Sequence, residues 1–409
     1  SGTGTGLRVI DDTFTMTRHP EGTDGTYANR MVHTETSQLI LGPHLIDTDH
    51  NVRTVQELVD IRLCGTARHL SEPERLVYML GMEGELFELD VNTLQVTYLF
   101  DLTRELDTPG ERSCHFKDCY TGHGRLVVTN NDYHEGDFLG NRKEGTLAEY
   151  DGKEWRVLER KPFICVNGLG HFGNTIFANG WDRASAILKV YTAADDTWTT
   201  YRLPKASHTH DHKWQSEWPR IRSVEHERLL MDCHGMWYEL SPWAYGNRIW
   251  GMRPVSTHLA VHGDFCSWKG MLMVGMDNCS FDGGANLQCA EPQSGIWMGR
   301  IDDLWNLGKP TGWGGPWWET PVQSGQASDP YLMTGFDKKC LHLSHDAETP
   351  VTFQLQVDAL GTGDFRTCET LEVPAAGSRV HVFPEGFSAH WVRLIPSADC
   401  TATAQLHYS

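Results

Sequence analysis

The 409-residue chain contains no run approaching the roughly 18 consecutive apolar residues of a membrane-crossing helix, so it is not read as membrane-spanning. Basic charge is also scarce: Lys and Arg total 35 against 54 Asp and Glu, a formal net charge of -19. That balance lacks the basic footprint a nucleic-acid partner requires. It also disfavours long-range steering of a polyanion. An acidic substrate would have to be gathered locally by Arg, Lys and His. Sustained 3.6-residue apolar periodicity is missing almost everywhere, which argues against long helices. No G-x-S-x-G segment is present, so serine nucleophile chemistry has no support. C-x-x-C, H-E-x-x-H and EF-hand patterns are absent too, and no metal site is announced by a motif.

Cysteine is present in odd number, 11, so at least one is unpaired. Cys279 and Cys289 flank a Gly/Asn-rich stretch, 280–288, and could close a surface loop. Cys114 and Cys119 fall in a segment read as an inner strand, where buried thiols are common. The expectation is a secreted, extracellular protein with one or two disulfides, against the alternative of a reduced cytosolic protein. Ser1 in place of Met fits a processed chain.

What the sequence does contain is short apolar runs separated by Gly, Asn and Asp turns, the pattern of many strands. Clear runs lie at 75–80, 86–90, 125–129, 174–178, 229–232, 271–275 and 339–344. Stacked, they form a weak repeat of turn, apolar strand and polar cluster: GHGRLVVTNND, FGNTIFANGWD, EHERLLMDCHG, WKGMLMVGMDN and DKKCLHLSHD, with EPERLVYMLGMEG a poorer fit. Starts fall roughly 40 to 70 residues apart, which suits propeller blades of four strands. The expected fold is all-β, a seven-bladed β-propeller making one domain of residues 1–409. Six blades run from about residue 60 to about 375. Strands around 37–47 complete the seventh with 379–383, 390–395 and 401–407, closing the ring and removing exposed sheet edges. The competing division is a propeller of 1–344 and a β-sandwich of 345–409.

In a blade whose strands run A to D outward, the D–A and B–C connections emerge on one face. The B–C clusters are Asn130-Asn131-Asp132 with His134, Asn179 to Arg183 with Trp181, Asp232-Cys233-His234, Asp277-Asn278 and Ser344-His345-Asp346. The D–A and early A segments add His69, His115 with Lys117, Asn167 with His171, His208 to His212, and His258 to Asp264. One face thus collects most of the histidines and amides. Singly, a buried His is usually a structural residue and an Asn-Asp pair a turn former. Turns alone would not call for the recurrent His and Arg. His208, His210 and His212 alternate and would share one strand face, so they could hold a metal. No cofactor is required by these features, with Ca²⁺ bound through oxygens as the alternative. Asp132, Asp182, Glu217, Asp232 and Asp277 leave a glycosidase carboxylate pair open. Fifteen Trp offer faces for sugar rings, though most Trp in a β protein is core.

Seven ordered segments carry a resemblance: HFKDCYTGHGRLVVTNN at 115–131, ANGWDRAS at 178–185, EWPRIR at 217–222, MDCHGMWYEL at 231–240, VHGDFCSW at 261–268, SDPYLMTGFD at 328–337 and VTFQLQVD at 351–358. Together they resemble the L-rhamnose-α-1,4-D-glucuronate lyases of polysaccharide lyase family 42, and are similar to the related α-L-rhamnosidases that share that fold. The likeness spans the chain from about residue 40 to its end. It implies a seven-bladed propeller and an exo-acting enzyme on the rhamnosyl-glucuronate ends of gum arabic-type arabinogalactan. The partner would be that acidic polysaccharide, and the protein a monomer. Within the matched segments the polar or aromatic candidates are His115, Lys117, Asn130, Asn131, Trp181, Arg183, Arg220, Arg222 and His234. His212 and Asp277 join them as substrate-binding candidates.

β-Elimination removes the C5 proton of glucuronate and expels the O4-linked rhamnose. It needs the carboxylate charge offset, a base near neutral pKa and a proton donor for O4, and His can serve as either. The expected assignment gives Arg183 to the carboxylate, aided by Asn130 or Asn131, His115 and then His234 to proton transfer, and Trp181 to stacking on a sugar. Against it stand structural roles: Arg183 paired with Asp182 or another blade's acid, Arg220 and Arg222 bracing blades, and His115 bonded to backbone. The alternatives in function are an α-L-rhamnosidase on the same scaffold and a sugar-binding propeller without activity.

Overall fold

The computed structural model describes residues 8–18, 28–108, 115–132, 145–168, 175–207, 219–224, 228–240, 244–245, 248–249, 251–258, 262–276 and 295–409. The architecture is all-β, and among the described residues helix is confined to short pieces at Gln56–Leu58, Leu102–Glu105 and Ile301–Asn306. The described residues fall into two compact units, one ending at residue 166 and the other beginning at 167.

The first unit is built of antiparallel four-stranded meanders. Strands Arg30–His33, Gln38–Leu41, His44–Ile46 and Val52–Thr54 form one. Leu63–Arg68, Leu76–Gly81, Glu85–Asp90 and Val96–Asp101 form the next, and Phe116–Gly122, Arg125–Asn130, Thr146–Tyr150 and Trp155–Glu159 the third. The Leu76–Gly81 strand shows why these sheets stack. All its residues are buried, because alternate side chains enter different cores. Val77 and Met79 pack with Ile40, Leu45 and Leu89. Tyr78 and Leu80 pack with Phe116, Leu126 and Val128. The middle sheet of the three therefore faces the one before it and the one after it, as propeller blades do.

In the second unit the strands Thr175–Trp181, Ala186–Thr192 and Thr197–Leu203 make an antiparallel meander. Arg220–Val224, Arg228–Cys233, Met236–Leu240 and Arg253–Thr257 make another, followed by His262–Trp268, Met271–Met276 and Gly295–Gly299. Val224, Leu230, Trp237 and Val255 of the former share a core with Phe265, Leu272 and Val274 of the latter.

The C-terminal strands behave differently from the expected ring closure. Among the described residues the 38–46 strands pair only within their own meander. Val351–Asp358 pairs with Arg366–Val373 and with Trp391–Pro396, which continues through Tyr331–Leu332 to a parallel pairing of Tyr331 with Arg202. Cys400–Tyr408 lies between Gly312–Val322 and Lys339–His345, whose other neighbour is Ser378–Val382. The two sheets face each other: Phe353 of one meets Trp317 at 6.3 Å and His345 at 6.1 Å of the other. The segment 339–346, read from the sequence as a blade repeat, belongs to this pair of sheets. Hydrophobic alternation identifies such strands but does not choose their partners; here Leu341 pairs with Leu406 and Leu343 with Ala404, all four buried.

No two described cysteines are bridged to each other, and Cys119 is buried as its strand position implies. Cys114, Cys279 and Cys289 lie outside the described residues. No helix among them is long and apolar enough to cross a membrane.

Candidate functional site

In the first unit, strands Phe116–Gly122 and Arg125–Asn130 are joined by His123 and Gly124, both with left-handed φ, 52° and 71°. This is the two-residue turn whose twist suits a hairpin, and His tolerates the left-handed region better than most residues. The hairpin brings Phe116 opposite Asn130, so His115 meets the end of the second strand. Its backbone N–H donates to Asn130 Oδ1 at 3.1 Å, and the same oxygen accepts from the Asp132 N–H at 2.8 Å. The His115 carbonyl accepts from the Asn131 N–H at 3.1 Å. His115 Nδ1 lies 2.8 Å from Asn131 Oδ1. An amide oxygen only accepts, so Nδ1 carries the proton and Nε2 keeps its lone pair. The half-buried imidazole is thus fixed in the tautomer of a base.

Lys117 sits where the register shifts between Phe116 and Asp118. It is buried, and its charge opposes the upward push that burial gives the Cys64 thiol. A bulge of this kind re-aims one side chain beside a strand end.

In the second unit the turn between Arg228–Cys233 and Met236–Leu240 is His234-Gly235, with φ of 49° and 77°. Its neighbour Asp232 stands on the strand opposite Arg220 and Trp237. His258 follows the last strand of this sheet and is anchored by its N–H to Gly235 O at 2.9 Å. His262 begins the next sheet. Asp232 Oδ1 accepts from His258 Nε2 at 2.8 Å, and Oδ2 from His262 Nδ1 at 2.6 Å. The two imidazole centroids are 4.2 Å apart, and Trp237 stacks on His262 at 4.8 Å with the planes 23° apart.

Burial would raise the Asp232 carboxyl, but the imidazoles of His258 and His262 outweigh it and hold it well below the usual carboxylate range. Burial, reinforced by His258, pushes the His262 imidazole down. The site therefore presents an ionised carboxylate gripped by two rings. Among the described residues it is the cluster able to offer three metal-ligand atoms together, all within 4.8 Å of one another.

The remaining candidates in this unit occupy varied settings. Trp181 is buried, edge-on to His234 at 5.8 Å. Arg183 lies over the Trp318 ring at 4.2 Å. Asp182, expected as its ion-pair alternative, takes both Nη1 and Nη2 of Arg202 at 3.0 and 2.9 Å. Arg220 is buried and donates through Nη1 to Pro219 O at 2.8 Å. Arg222 Nε donates to Asp264 Oδ1 at 2.9 Å, joining consecutive sheets. His212 and Asp277 lie outside the described residues, as do His208 and His210.

Sorting loops by strand order places Asp232 and the 258–264 segment on one end, and the structure brings them together there. That three ligand-type side chains meet at one point is not deducible from the sequence, because their convergence depends on the packing of consecutive sheets. His69 sits at the opposite end from its expected place. It follows Arg68, which pairs with Val77, whereas the strand start Leu63 pairs with Gly81. His345 belongs to the C-terminal pair of sheets, with Nε2 3.2 Å from Val373 O.

No family model and no curated protein matches the chain. Among solved structures it is similar to a chain of a nidogen/laminin complex, at 11% identity and a TM-score of 0.35 over 59% of this chain and 82% of that one. It is also similar to luciferin-regenerating enzyme, at 13% identity and a TM-score of 0.41 over 63% and 86% of the two chains. A third likeness is to PorZ, a bacterial surface component of the type-IX secretion system of Porphyromonas gingivalis, at 12% identity and 0.37 over 67% and 34%. Likenesses at such scores say nothing of activity, which has to be argued from the sheet architecture and the chemistry of the sites.

Proposed function

We propose that the protein is a secreted polysaccharide lyase that releases terminal L-rhamnose from rhamnosyl-α-1,4-glucuronate ends by β-elimination. The observation that carries this reading is the 2.8 Å contact of His115 Nδ1 with Asn131 Oδ1. It puts the proton on Nδ1, the tautomer in which Nε2 can act as the base that abstraction beside a carboxylate requires. In the reaction His115 Nε2 takes the C5 proton, the C5–H electron pair becomes the C4=C5 double bond, and the C4–O4 bond breaks. The imidazolium so formed, directly or through a water, returns the proton to O4 as rhamnose leaves, and the uronate remains unsaturated. No oxidant or reductant enters. The seven segments resembling the family 42 lyases supply the substrate class. They also suggest Arg183 as a partner for an acidic group, since a guanidinium fork matches a carboxylate. The scaffold proposed with this reading is a seven-bladed ring of which the stacked meanders are blades, and an experimental structure with another blade number would reject it.

The test is incubation with gum arabic, following free rhamnose and near-ultraviolet absorbance together. Both should rise in step. Rhamnose released without new absorbance would select hydrolysis by an α-L-rhamnosidase. Saturable binding with no product would select a carbohydrate-binding module.

A further inference from the structure

We propose that Asp232, His258 and His262 bind a divalent first-row transition-metal ion and leave coordination positions open for an anionic oxygen ligand. The inference concerns the second unit alone and does not rest on the role given to His115.

Three observations support it. The first is convergence: one ligand atom from each side chain lies within 4.8 Å of the others, although the residues come from the end of one strand, the residue after a second and the start of a third. The second is the donor set. Two imidazoles and one carboxylate suit zinc, iron, manganese or copper, and three protein ligands leave positions for water or substrate oxygen. Calcium takes six to eight oxygens and has no use for two imidazoles. The third is burial. Asp232 is buried, and each of its carboxylate oxygens is met by one imidazole. A buried carboxylate needs a compensating positive charge, and a dication supplies it while both imidazoles stay neutral, the form that coordinates.

The surroundings are rigid in the way a preorganised site requires. Asp232 lies within a ladder, His258 is held by its N–H on Gly235 O, and His262 is stacked on Trp237. Coordination would replace the two N–H donations to the carboxylate, so each ring would turn its lone pair to the ion by changing tautomer. The positions left open would accept a carboxylate, such as that of a uronic acid, or a water.

The experiment strips the intact protein with a chelator and titrates Zn²⁺, Mn²⁺, Co²⁺ and Ca²⁺ calorimetrically, with metal content read by mass spectrometry. One equivalent of Zn²⁺ or Co²⁺ should bind, Co²⁺ should give visible d–d absorption, and the metal should raise Tm. His258→Ala should weaken binding at least ~10²-fold, by loss of one of three ligands. Far-UV circular dichroism checks that this variant is folded, and Asp232→Asn offers a second ligand change. Absence of stoichiometric uptake by the wild-type chain, a preference for Ca²⁺, or unchanged uptake by a folded His258→Ala chain would each overturn the proposal. None of these readouts uses a polysaccharide, so failure here and failure of the lyase reading are distinguishable.

Discussion

At residue scale the chemistry of His115 depends on a neighbouring amide. Asn131 fixes which ring nitrogen carries the proton. His115→Ala should lower turnover on rhamnosyl-glucuronate ends at least ~10²-fold while the fold survives, as measured by initial rates and circular dichroism. Asn131→Leu keeps the imidazole but frees its tautomer. It should lower kcat about tenfold or more with a smaller change in KM, because orientation and not binding is lost. Equal activity in both variants would remove this imidazole from the reaction. The Asn130-Asn131 pair is visible in the sequence as a polar cluster after an apolar strand, and His115 as its neighbour across the hairpin. The hydrogen bond that sets the tautomer is not visible there, because it depends on a side-chain rotamer.

At the scale of elements the hairpin turn after Glu85–Asp90 shows how one side chain sets a strand's end. Asp90 Oδ1 accepts from the N–H groups of Asn92 and Thr93 at 2.9 and 3.0 Å, and Oδ2 from Arg75 Nη1 at 2.6 Å. Burial opposes ionisation here, but those donors outweigh it and hold the carboxyl below its usual range. A depressed folded-state pKa stabilises the protein above the unfolded value of about 3.9, and that stabilisation is lost as pH falls through the folded value. Asp90→Asn should therefore cost about 1–2 kcal/mol at pH 7, with the difference from wild type shrinking below about pH 4, as read by urea unfolding at several pH values. Packing between elements gives a second test. A Cβ on Gly65 would meet Cys119 Sγ at 2.8 Å and the Cys119 nitrogen at 2.9 Å. Gly65→Ala should destabilise by about 1–3 kcal/mol through overpacking, measured by thermal unfolding. Elements of this kind are legible in the sequence: the runs at 125–129, 229–232 and 271–275 fall on observed strands, and the run at 75–80 does so from Leu76. Period-two apolar patterning and Gly-marked turns are local, and a sequence displays them directly.

At the scale of the molecule, partner choice is not displayed by the sequence. The strands at 379–382, 391–395 and 401–407 are recognisable, but their pairing with Lys339–His345, Val351–Asp358 and Gly312–Val322 depends on which apolar surfaces meet. In the second unit Arg202 ties the Thr197–Leu203 strand to this C-terminal part, bonding Asp182, Ser185 and, through Nε at 2.9 Å, Asp329. Arg202→Met leaves carboxylates without their buried counter-charge and should cost about 3–5 kcal/mol in urea unfolding. A loss under about 1 kcal/mol would mean that the parallel pairing of Arg202 with Tyr331 holds the two parts without the charge.

Among the described residues the register shift at the start of a sheet's first strand recurs in three sheets, at Leu63/Gly65, Phe116/Asp118 and His262/Asp264. In each, one residue steps out of the ladder: Cys64, Lys117 and Gly263. Its identity is therefore released from the demands of strand pairing while the flanking residues keep them. Such a position can exchange a thiol, an ammonium or a bare backbone without rebuilding the sheet. A scaffold that repeats the same loosened step can acquire new chemistry one sheet at a time.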